Sequence, residues 1–169
     1  MFAARAHVCR SGFTFLELLV ALALAGLLAL GSLSPLRAVG HSAALKSEAN
    51  RFQQAFALAR NTAITQRTRV VVCPLDAARR CDDDWSRPLA VILPAGEGRA
   101  RRLVRVFEPH PQSRVRYNRR WRQVHYTPLG HASGFNGTFE LCNAGDTGRR
   151  LVLSQLGRLR VDRARIECA

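Results

Sequence analysis

The sequence is poor in acidic residues and almost without lysine. Its 169 residues include 26 basic and 12 acidic side chains, for a formal net charge of +14, and Lys46 is the one lysine among the basic residues. A charge of this size bears on association with polyanions or membrane surfaces and does not determine a fold. The length allows one globular domain together with a short additional segment. The composition therefore favours a polyanionic or membrane-surface partner.

The sequence also lacks the spacings that metal sites and common catalytic sites require. There is no Cys-x-x-Cys pair for zinc and no His-x-x-His, and the acidic run Asp82-Asp83-Asp84 lacks the alternating oxygen ligands of a calcium loop. The histidines are scattered, without a neighbouring nucleophile. We therefore predict no metal, no cofactor and no enzymatic activity, and we interpret the acidic run as a solvated loop.

One long apolar segment follows a short basic leader, residues 1–12. Residues 13–33 are apolar or small except for Thr14 and Glu17, and about 21 residues make roughly 32 Å of helix, enough to cross a bilayer. A secretory signal would have a shorter apolar stretch followed by a small-residue cleavage site. We predict a membrane-spanning helix over residues 13–34.

Glu17 places a carboxylate inside this apolar segment. A charged group there costs a few kcal/mol, so it indicates a function and a cationic partner. One alternative is that Glu17 reaches the lipid headgroups, because it lies close to the start of the segment. The other is that the chain is cut after Gly12, so that the free amine of Phe13 in a neighbouring copy neutralises Glu17.

The stretch Gly12-Phe13-Thr14-Phe15-Leu16-Glu17 resembles the class III leader junction of type IV prepilins and type II secretion pseudopilins. The resemblance implies cleavage between Gly12 and Phe13 by a prepilin peptidase, N-methylation of Phe13, and use of Glu17 in filament assembly. It also implies a single pass through the bacterial inner membrane, a periplasmic head, and other pilins as partners in a pilus or pseudopilus.

A helical pattern of a second kind follows Gly40. Its apolar positions are spaced three and four residues apart: Leu45, Ala49, Phe52, Phe56, Ala59 and Ala63. Polar residues take the other faces: Lys46, Glu48, Arg51, Gln53 and Arg60. We predict residues 35–66 as an amphipathic continuation of the N-terminal helix, after a kink within residues 31–40, whose stripe packs on a sheet. A coiled-coil seam is the alternative.

From residue 67 the pattern changes to β-strands. Branched and aromatic runs bounded by proline and glycine predict strands at 70–73, 89–93, 103–107, 124–127, 138–142, 151–154 and 159–161, with a short one at Ile166. A helix followed by a series of strands argues for an α+β fold with a β-rich head over residues 67–169.

Four cysteines follow the leader, which itself contains one. An even number in an exported domain suggests two disulfides, and four cysteines allow three pairings. The short separation of Cys73 and Cys81 suits a local link, and Cys142 would then pair with Cys168 and tie the chain end to the fold. We predict these two disulfides.

A second resemblance covers most of the remaining chain. The segments concerned are Val70-Val71-Val72-Cys73-Pro74, Cys81, Asp84-Trp85-Ser86, Cys142, Leu151-Val152-Leu153-Ser154 and Gly157-Arg158-Leu159-Arg160. They look like the FimT/GspH group of minor pilins and pseudopilins, although Arg87-Pro88 stands where a glycine often follows. The resemblance implies a pilin fold, with a long N-terminal helix packed on antiparallel sheets. In FimT-type proteins the Gly-Arg-x-Arg motif is associated with DNA binding.

The arginines fall into three clusters. They are Arg99, Arg101, Arg102 and Arg105; then Arg114, Arg116, Arg119, Arg120 and Arg122; then Arg149, Arg150, Arg158, Arg160, Arg163 and Arg165. Tyr117 and Trp121 lie among the second cluster, and aromatic rings with arginines are the combination found in single-strand binders. The alternative for any one arginine is solubility, or a stem that covers apolar surface.

The third cluster also has a geometric argument. Arg158 and Arg160 are two residues apart, so on a strand they share one face, and Gly157 permits a positive φ and a close backbone approach. Guanidinium groups bind phosphate bidentately, and without a recognition helix the expected mode is non-specific. We predict DNA contacts from Gly157, Arg158, Arg160, Arg163, Arg165, Arg149 and Arg150, and secondarily from Arg119 and Arg120.

Three functions fit these observations. The first is a minor type IV pilin that binds DNA non-specifically during its uptake in natural transformation. The second is a GspH-like minor pseudopilin of type II secretion, and the third is a purely structural minor pilin that primes pilus assembly. The arginine clusters favour the first, because secretion gives them no task.

Overall fold

The computed structural model describes residues 14–31, 33–96, 98, 100–111, 113–143 and 147–168. Residues 1–39 and residues 40–169 form two compact units. The predicted leader junction at Gly12 and Phe13 lies outside the described residues.

Helix α1, Phe15–Gly31, lies in the first unit, and Thr14 caps its start. The backbone N–H of Glu17 donates to Thr14 Oγ1 at 3.3 Å, which satisfies one of the free donors of the first turn. The helix has 17 residues, shorter than the segment predicted over residues 13–34. Across the described residues, no helix is both long enough and apolar enough to cross a membrane.

Helix α2, Leu33–Thr65, begins earlier than its sequence pattern suggests. The kink at residues 31–40 stays a prediction, and within that range Pro35 lies inside the first turn of α2. Proline is tolerated there because the N–H that it lacks has no intrahelical partner in a first turn. The predicted apolar stripe is buried from Leu45 to Ala63 in the core of the second unit, so the coiled-coil alternative is not needed.

The strands of the described residues form two antiparallel sheets of four strands each. Their bounds are β1 Val70–Pro74, β2 Leu89–Leu93, β3 Arg102–Phe107, β4 Arg114–Tyr117, β5 Val124–Tyr126, β6 Gly137–Cys142, β7 Thr147–Leu153 and β8 Leu159–Glu167. Sheet A has the order β3-β2-β1-β5, and sheet B has the order β4-β6-β7-β8. The predicted α+β pilin fold, with a helix packed on antiparallel sheets, is confirmed.

The main core joins α2 to both sheets through aromatic rings. The Phe52 ring lies 5.2 Å from Phe139 of sheet B, and Phe56 lies 6.4 Å from Tyr126 of sheet A, centroid to centroid. Trp85, in the loop between β1 and β2, packs 4.9 Å from Phe139. Aromatic pairs of this geometry stabilise by about 0.5–1.5 kcal/mol beyond their buried area. This core holds the loops that carry the arginines in fixed positions.

Strands β1 and β2 of sheet A are buried on both faces, whereas β4 of sheet B is buried on one. All residues of β1 and β2 are buried, and the face of sheet A away from the main core carries a second cluster: Val71, Cys73, Leu75, Ala90 and Ile92. In β4 burial alternates strictly between exposed and buried positions. Among the residues of the strands, the exposed arginines therefore lie mainly on sheet B.

Strand β4 is absent from the sequence prediction, which treats its residues as part of an arginine cluster. Val115 and Tyr117 are buried while Arg114 and Arg116 are exposed. This is the two-residue period of a half-buried strand, hidden by the charge of its outer residues. In the same way β7 begins at Thr147, and β8 is one continuous strand to Glu167 rather than two short ones.

Glu48 and Arg51 correct the predicted polar faces of α2, because both are buried. Their side chains are 1% and 6% exposed and form an ion pair. Arg51 also donates to the backbone carbonyls of Arg87, at 2.9 Å, and Phe107, at 3.3 Å. The other carboxylate oxygen of Glu48 accepts the backbone N–H of His110 at 3.1 Å. Burial lowers the pKa of the Arg51 guanidinium, and the Glu48 charge opposes that shift.

The structure contains both disulfides that the sequence predicts. Cys73–Cys81 closes the loop after β1, with a Cα–Cα distance of 5.5 Å. Cys142–Cys168 joins β6 to the end of β8, with a Cα–Cα distance of 5.9 Å. This second bridge crosses β7 at Gly148, where a Cβ would lie 2.6 Å from Cys168 Sγ. The glycine thus makes room for a disulfide that fixes the edge strand β8.

Candidate nucleic-acid interface

The turn between β7 and β8 presents the two arginines of the Gly-Arg-x-Arg motif. The backbone N–H of Ser154 donates to the Arg158 carbonyl at 2.9 Å, and that of Gly157 donates to the Ser154 carbonyl at 3.0 Å. Ser154 Oγ also accepts the Arg158 N–H at 3.1 Å. The side chains of Arg158 and Arg160 are exposed, while Leu159 between them packs on the core. The side chains of Arg158 and Arg160 therefore leave the backbone on the same side, as the sequence predicts.

Gly157 has the predicted positive φ, at 75°, but its close backbone approach is internal. A Cβ at this position would collide with the Gly130 carbonyl oxygen and would lie 2.7 Å from Tyr126 Cε1. The Tyr126 hydroxyl donates to the Gly157 carbonyl at 3.1 Å, and the glycine is buried. Gly157 thus seats the turn on β5 and the loop after it, which corrects the expectation that its backbone is open to a phosphate.

The outer face of sheet B carries part of the third arginine cluster. Register pairs Arg116 with Glu140, and Glu140 with Arg150. Glu140 lies 2.7 Å from Arg116 and 3.6 Å from Arg150, nitrogen to oxygen. Arg160 follows on the same face, because it pairs with Val152, two residues from Arg150. Arg150 is thereby partly neutralised, whereas Arg160 has no acidic partner among the described residues.

Arg149, Arg163 and Arg165 lie apart from Arg158 and Arg160. Arg149 pairs with Arg165, and Leu151 pairs with Val161, so the register shifts between them. The extra residues of β8 form a bulge that includes Arg163, and the three arginines line a shallow hollow of about 220 Å³. By strand alternation Arg149 is on the side of buried Leu151, the opposite side from Arg150. The sequence cluster is therefore divided between two faces.

The second arginine cluster contains one exposed ring instead of two. Tyr117 is 8% exposed, and its hydroxyl donates to the Phe135 carbonyl. Burial raises the pKa of Tyr117 to about 12, against the opposing charge of Arg119. Trp121 is 49% exposed, next to the exposed arginines Arg119, Arg120 and Arg122. Only Trp121 of the two predicted stacking rings is accessible to a ligand.

Sequence reasoning overlooks two aromatic side chains beside Trp121. The Phe135 ring lies 5.6 Å from Trp121 and 4.8 Å from His125, centroid to centroid. Burial, and secondarily the charge of Arg69, lowers the pKa of His125 and favours its neutral ring. His125 and Phe135 are separated from each other and from Trp121 in the sequence, so no local pattern predicts that the three rings meet. The arginines next to Trp121 draw attention to that residue alone.

Comparison with solved structures identifies the fold first. The fold is that of the type IV minor pilin FimU of Pseudomonas aeruginosa, with a TM-score of 0.59 and 24% identity over 70% of this chain and 87% of that one. It is also that of the minor pseudopilin EpsH from the type 2 secretion system of Vibrio cholerae, with a TM-score of 0.52 and 16% identity over 70% and 95%. No curated protein is significantly similar in sequence.

Two family models then match the sequence itself. A prokaryotic N-terminal methylation motif matches residues 9–33, and the type II transport protein GspH matches residues 48–157. The second match covers well over half of the chain. The chain belongs to the GspH family, and it is a minor pilin or pseudopilin of the GspH and FimU type.

Proposed function

We propose that this protein is a minor type IV pilin that binds DNA non-specifically during DNA uptake. The observation that supports the proposal is the β7–β8 turn, which presents Arg158 and Arg160 side by side, exposed and without an acidic partner among the described residues. Two guanidinium groups at such a spacing suit the phosphates of a nucleic acid backbone, which they contact in any sequence.

The turn is rigid enough to hold these groups in place. The internal hydrogen bonds of residues 154–158 and the contact of Gly157 with Gly130 restrict it. A site that is ordered before binding loses less conformational entropy when the ligand arrives. We propose Arg163, Arg165 and Arg149 as an outlying set of contacts, with Arg150 weakened by its pairing to Glu140. Gly157 acts by positioning the turn.

The N-terminal part of the proposal concerns processing and assembly. The match to an N-terminal methylation motif over residues 9–33 supports cleavage after Gly12, methylation of Phe13 and anchoring in the inner membrane. In a filament, Glu17 would neutralise the amine of Phe13 in a neighbouring pilin. Mass spectrometry of protein extracted from membranes tests this: a mature chain that starts with methylated Phe13 is expected, and an intact leader would contradict the processing.

The alternative function is that of a minor pseudopilin in type II secretion. It is favoured by the family description, type II transport protein GspH, over residues 48–157 and by the fold shared with EpsH. A purely structural minor pilin that primes assembly is the third possibility. Neither of these two functions requires Arg158 and Arg160 to bind a ligand. A measurement of DNA binding therefore distinguishes the proposed function from both.

The test uses the full-length chain in a non-ionic detergent and duplexes of unrelated sequence. Binding is expected to be similar for all duplexes and to weaken steeply with salt, because each arginine–phosphate contact releases counterions. Changing Arg158 and Arg160 together to Gln should reduce affinity and flatten the salt dependence by about two contacts.

The matched control removes the same charge elsewhere. Arg79 and Arg101 are exposed near the Cys73–Cys81 loop, on the other sheet, and changing both to Gln should leave most of the affinity. If both double variants lose the same DNA affinity, the loss results from the lower net charge and not from the position of Arg158 and Arg160. Absence of binding by the unaltered chain at low salt would contradict the proposal and favour the secretion function.

A further inference from the structure

Three rings lie in a row on the surface beside the proposed DNA site: His125 of β5, Phe135 and Trp121. His125 stacks on Phe135 with an interplanar angle of 12°, and Trp121 also contacts Phe135, at an angle of 62°. His125 and Phe135 are half-buried and Trp121 is exposed. We call these three residues the aromatic row.

The backbone around the aromatic row is fixed from below. The indole N–H of buried Trp85 donates to the Trp121 carbonyl at 3.1 Å, and the Tyr117 hydroxyl donates to the Phe135 carbonyl. Arg119 Nε donates to the Asn136 carbonyl at 3.3 Å. The segments that carry Trp121 and Phe135 are therefore hydrogen-bonded to the core, to sheet B and to each other. These bonds hold the backbone of Trp121 in place while its ring is exposed.

Arginines flank both ends of the aromatic row. At the His125 end, a cleft of about 630 Å³ is also lined by Arg67, Arg69 and Arg102. At the other end stand Arg119, Arg120 and Arg122, all exposed. None of these six arginines forms an ion pair with an acid in the part of the chain that the structure describes.

The neighbouring acidic run does not cancel this charge. Asp82 and Asp84 both pair with Arg87, at 2.9 Å and 3.3 Å. Asp83 forms no ion pair among the described residues and lines a hollow with Trp121, Arg119 and Arg120, so it offsets at most one of the positive charges at that end of the row. The surface consists of apolar rings between cations, a combination that fits a ligand with flat faces and a negatively charged backbone.

One loop connects the aromatic row to the proposed DNA site. Residues 127–136 begin after β5 and end at Phe135 and Asn136, and the N–H of Ala132 donates to the Gln155 carbonyl at 2.9 Å. Gly130 of the same loop supports Gly157 of the β7–β8 turn. The turn that carries Arg158 is therefore in contact with the loop that ends at Phe135.

We propose that the aromatic row stacks unpaired bases, so that the preferred ligand of this protein is single-stranded DNA. The inference rests on the proposed DNA-binding function and adds the strand class that it takes. Arginine–phosphate contacts serve single strands and duplexes alike, whereas stacking on Trp121 requires a base that has left its own stack. The occupant is a polyanion, because arginines at both ends would be left buried and unpaired against an apolar protein partner.

The test measures tryptophan fluorescence of the full-length chain in non-ionic detergent. The probes are an oligothymidylate of about twelve nucleotides and a blunt duplex of mixed sequence. The protein has two tryptophans, and Trp85 is 2% exposed, so that quenching by the single strand reports on Trp121. We expect strong quenching by oligothymidylate and weak quenching by the duplex.

Two variants complete the test. Trp121→Ala should weaken oligothymidylate binding roughly five- to hundredfold, the usual effect of losing one stacked base, with duplex affinity unchanged. Trp121→Phe keeps a ring and should restore most of the affinity. Arg158→Gln with Arg160→Gln should lower the affinity for both the single strand and the duplex.

The outcomes separate the two proposals. If neither DNA binds the unaltered chain at low salt, both are overturned. If both bind but Trp121→Ala lowers neither affinity, or lowers both equally, single-strand stacking is wrong and backbone binding stands. If Trp121→Ala leaves DNA binding intact but prevents incorporation into a filament, the row is a contact to another pilin and the inference is overturned.

Discussion

Arginine serves opposite purposes in two regions of this molecule. Arg51 is 6% exposed beneath the loop of Trp85, with its guanidinium shared between Glu48 and backbone carbonyls. Arg158 and Arg160 on the β7–β8 hairpin are exposed, with no acidic partner among the described residues. The first arrangement uses every donor inside the protein, while the second leaves the donors for a ligand. Net charge alone does not distinguish them; only the surroundings do.

The largest effect is expected from breaking the buried side of this comparison. Arg51→Met should lower the free energy of unfolding by about 3–5 kcal/mol, because it leaves the Glu48 carboxylate buried without its cation. Guanidinium chloride unfolding, followed by the fluorescence of Trp85, measures the loss. Combining it with Glu48→Gln should recover part of the stability. A loss below about 1 kcal/mol for Arg51→Met alone would show that the ion pair contributes little.

The disulfides sharpen the comparison, because one of them links β8 of the hairpin to β6, at the end opposite to the turn. Replacing Cys142 and Cys168 by Ala should lower the free energy of unfolding by about 3.5 kcal/mol, and replacing Cys73 and Cys81 by about 2.5 kcal/mol, since the first pair closes the longer loop. Unfolding titrations of the two double variants compare them directly. The reverse order would mean that the covered face of sheet A depends on its disulfide more than chain entropy accounts for.

Gly157→Ala tests whether the turn is seated as described. A side chain there meets the Gly130 carbonyl and needs a φ of 75°, so we expect a loss of about 1–3 kcal/mol. Gly134→Ala is the matched control: its φ is also positive, at 84°, but nothing lies within 4 Å. The collision at residue 157 should make its loss the larger of the two in thermal unfolding. Equal losses of stability in the two variants would mean that the positive φ alone, and not the collision with Gly130, accounts for the effect of Gly157→Ala.

His125 adds a pH dependence to the aromatic row. Its pKa is lowered in the folded protein, so the unfolded state binds more protons as the pH falls below the unfolded pKa of about 6.5. Stability present above that pKa is therefore lost as the pH falls through the folded pKa. His125→Gln should show a smaller drop in Tm between about pH 7.5 and pH 5, while His131→Gln keeps the full drop. Identical pH profiles of the two variants would contradict this.

The parts of the fold that were predictable from the sequence are those set by local pattern. The stripe from Leu45 to Ala63 and the branched run of β1 follow the periods of a helix and a buried strand. The disulfide pairing followed from the spacing of the cysteines. Each of these signals is contained in a short stretch of chain, and tertiary contacts reinforce it.

The remaining features depend on contacts between distant segments. Periodicity treats a charged residue as exposed, so it could not show that Glu48 and Arg51 neutralise each other inside the core. Register and a bulge decide that Arg149 and Arg150 take opposite faces of sheet B. The sequence shows that Gly157 permits a positive φ, but only the fold shows that the chain uses it and that the neighbour is Gly130.

The smallest effect on stability is expected from the exposed side of the comparison. Arg158→Gln with Arg160→Gln should change the free energy of unfolding by less than about 0.5 kcal/mol, because neither side chain forms an ion pair among the described residues and both are solvated. The same variant should lose DNA affinity while it keeps its stability. At Arg51 a substitution is expected to destabilise the fold, so an effect on binding could not be measured separately there. Unfolding and binding titrations on one preparation test this together. A loss of more than about 1 kcal/mol would mean that these arginines hold the hairpin in place, and a fall in DNA affinity would then reflect a disturbed turn rather than missing phosphate contacts.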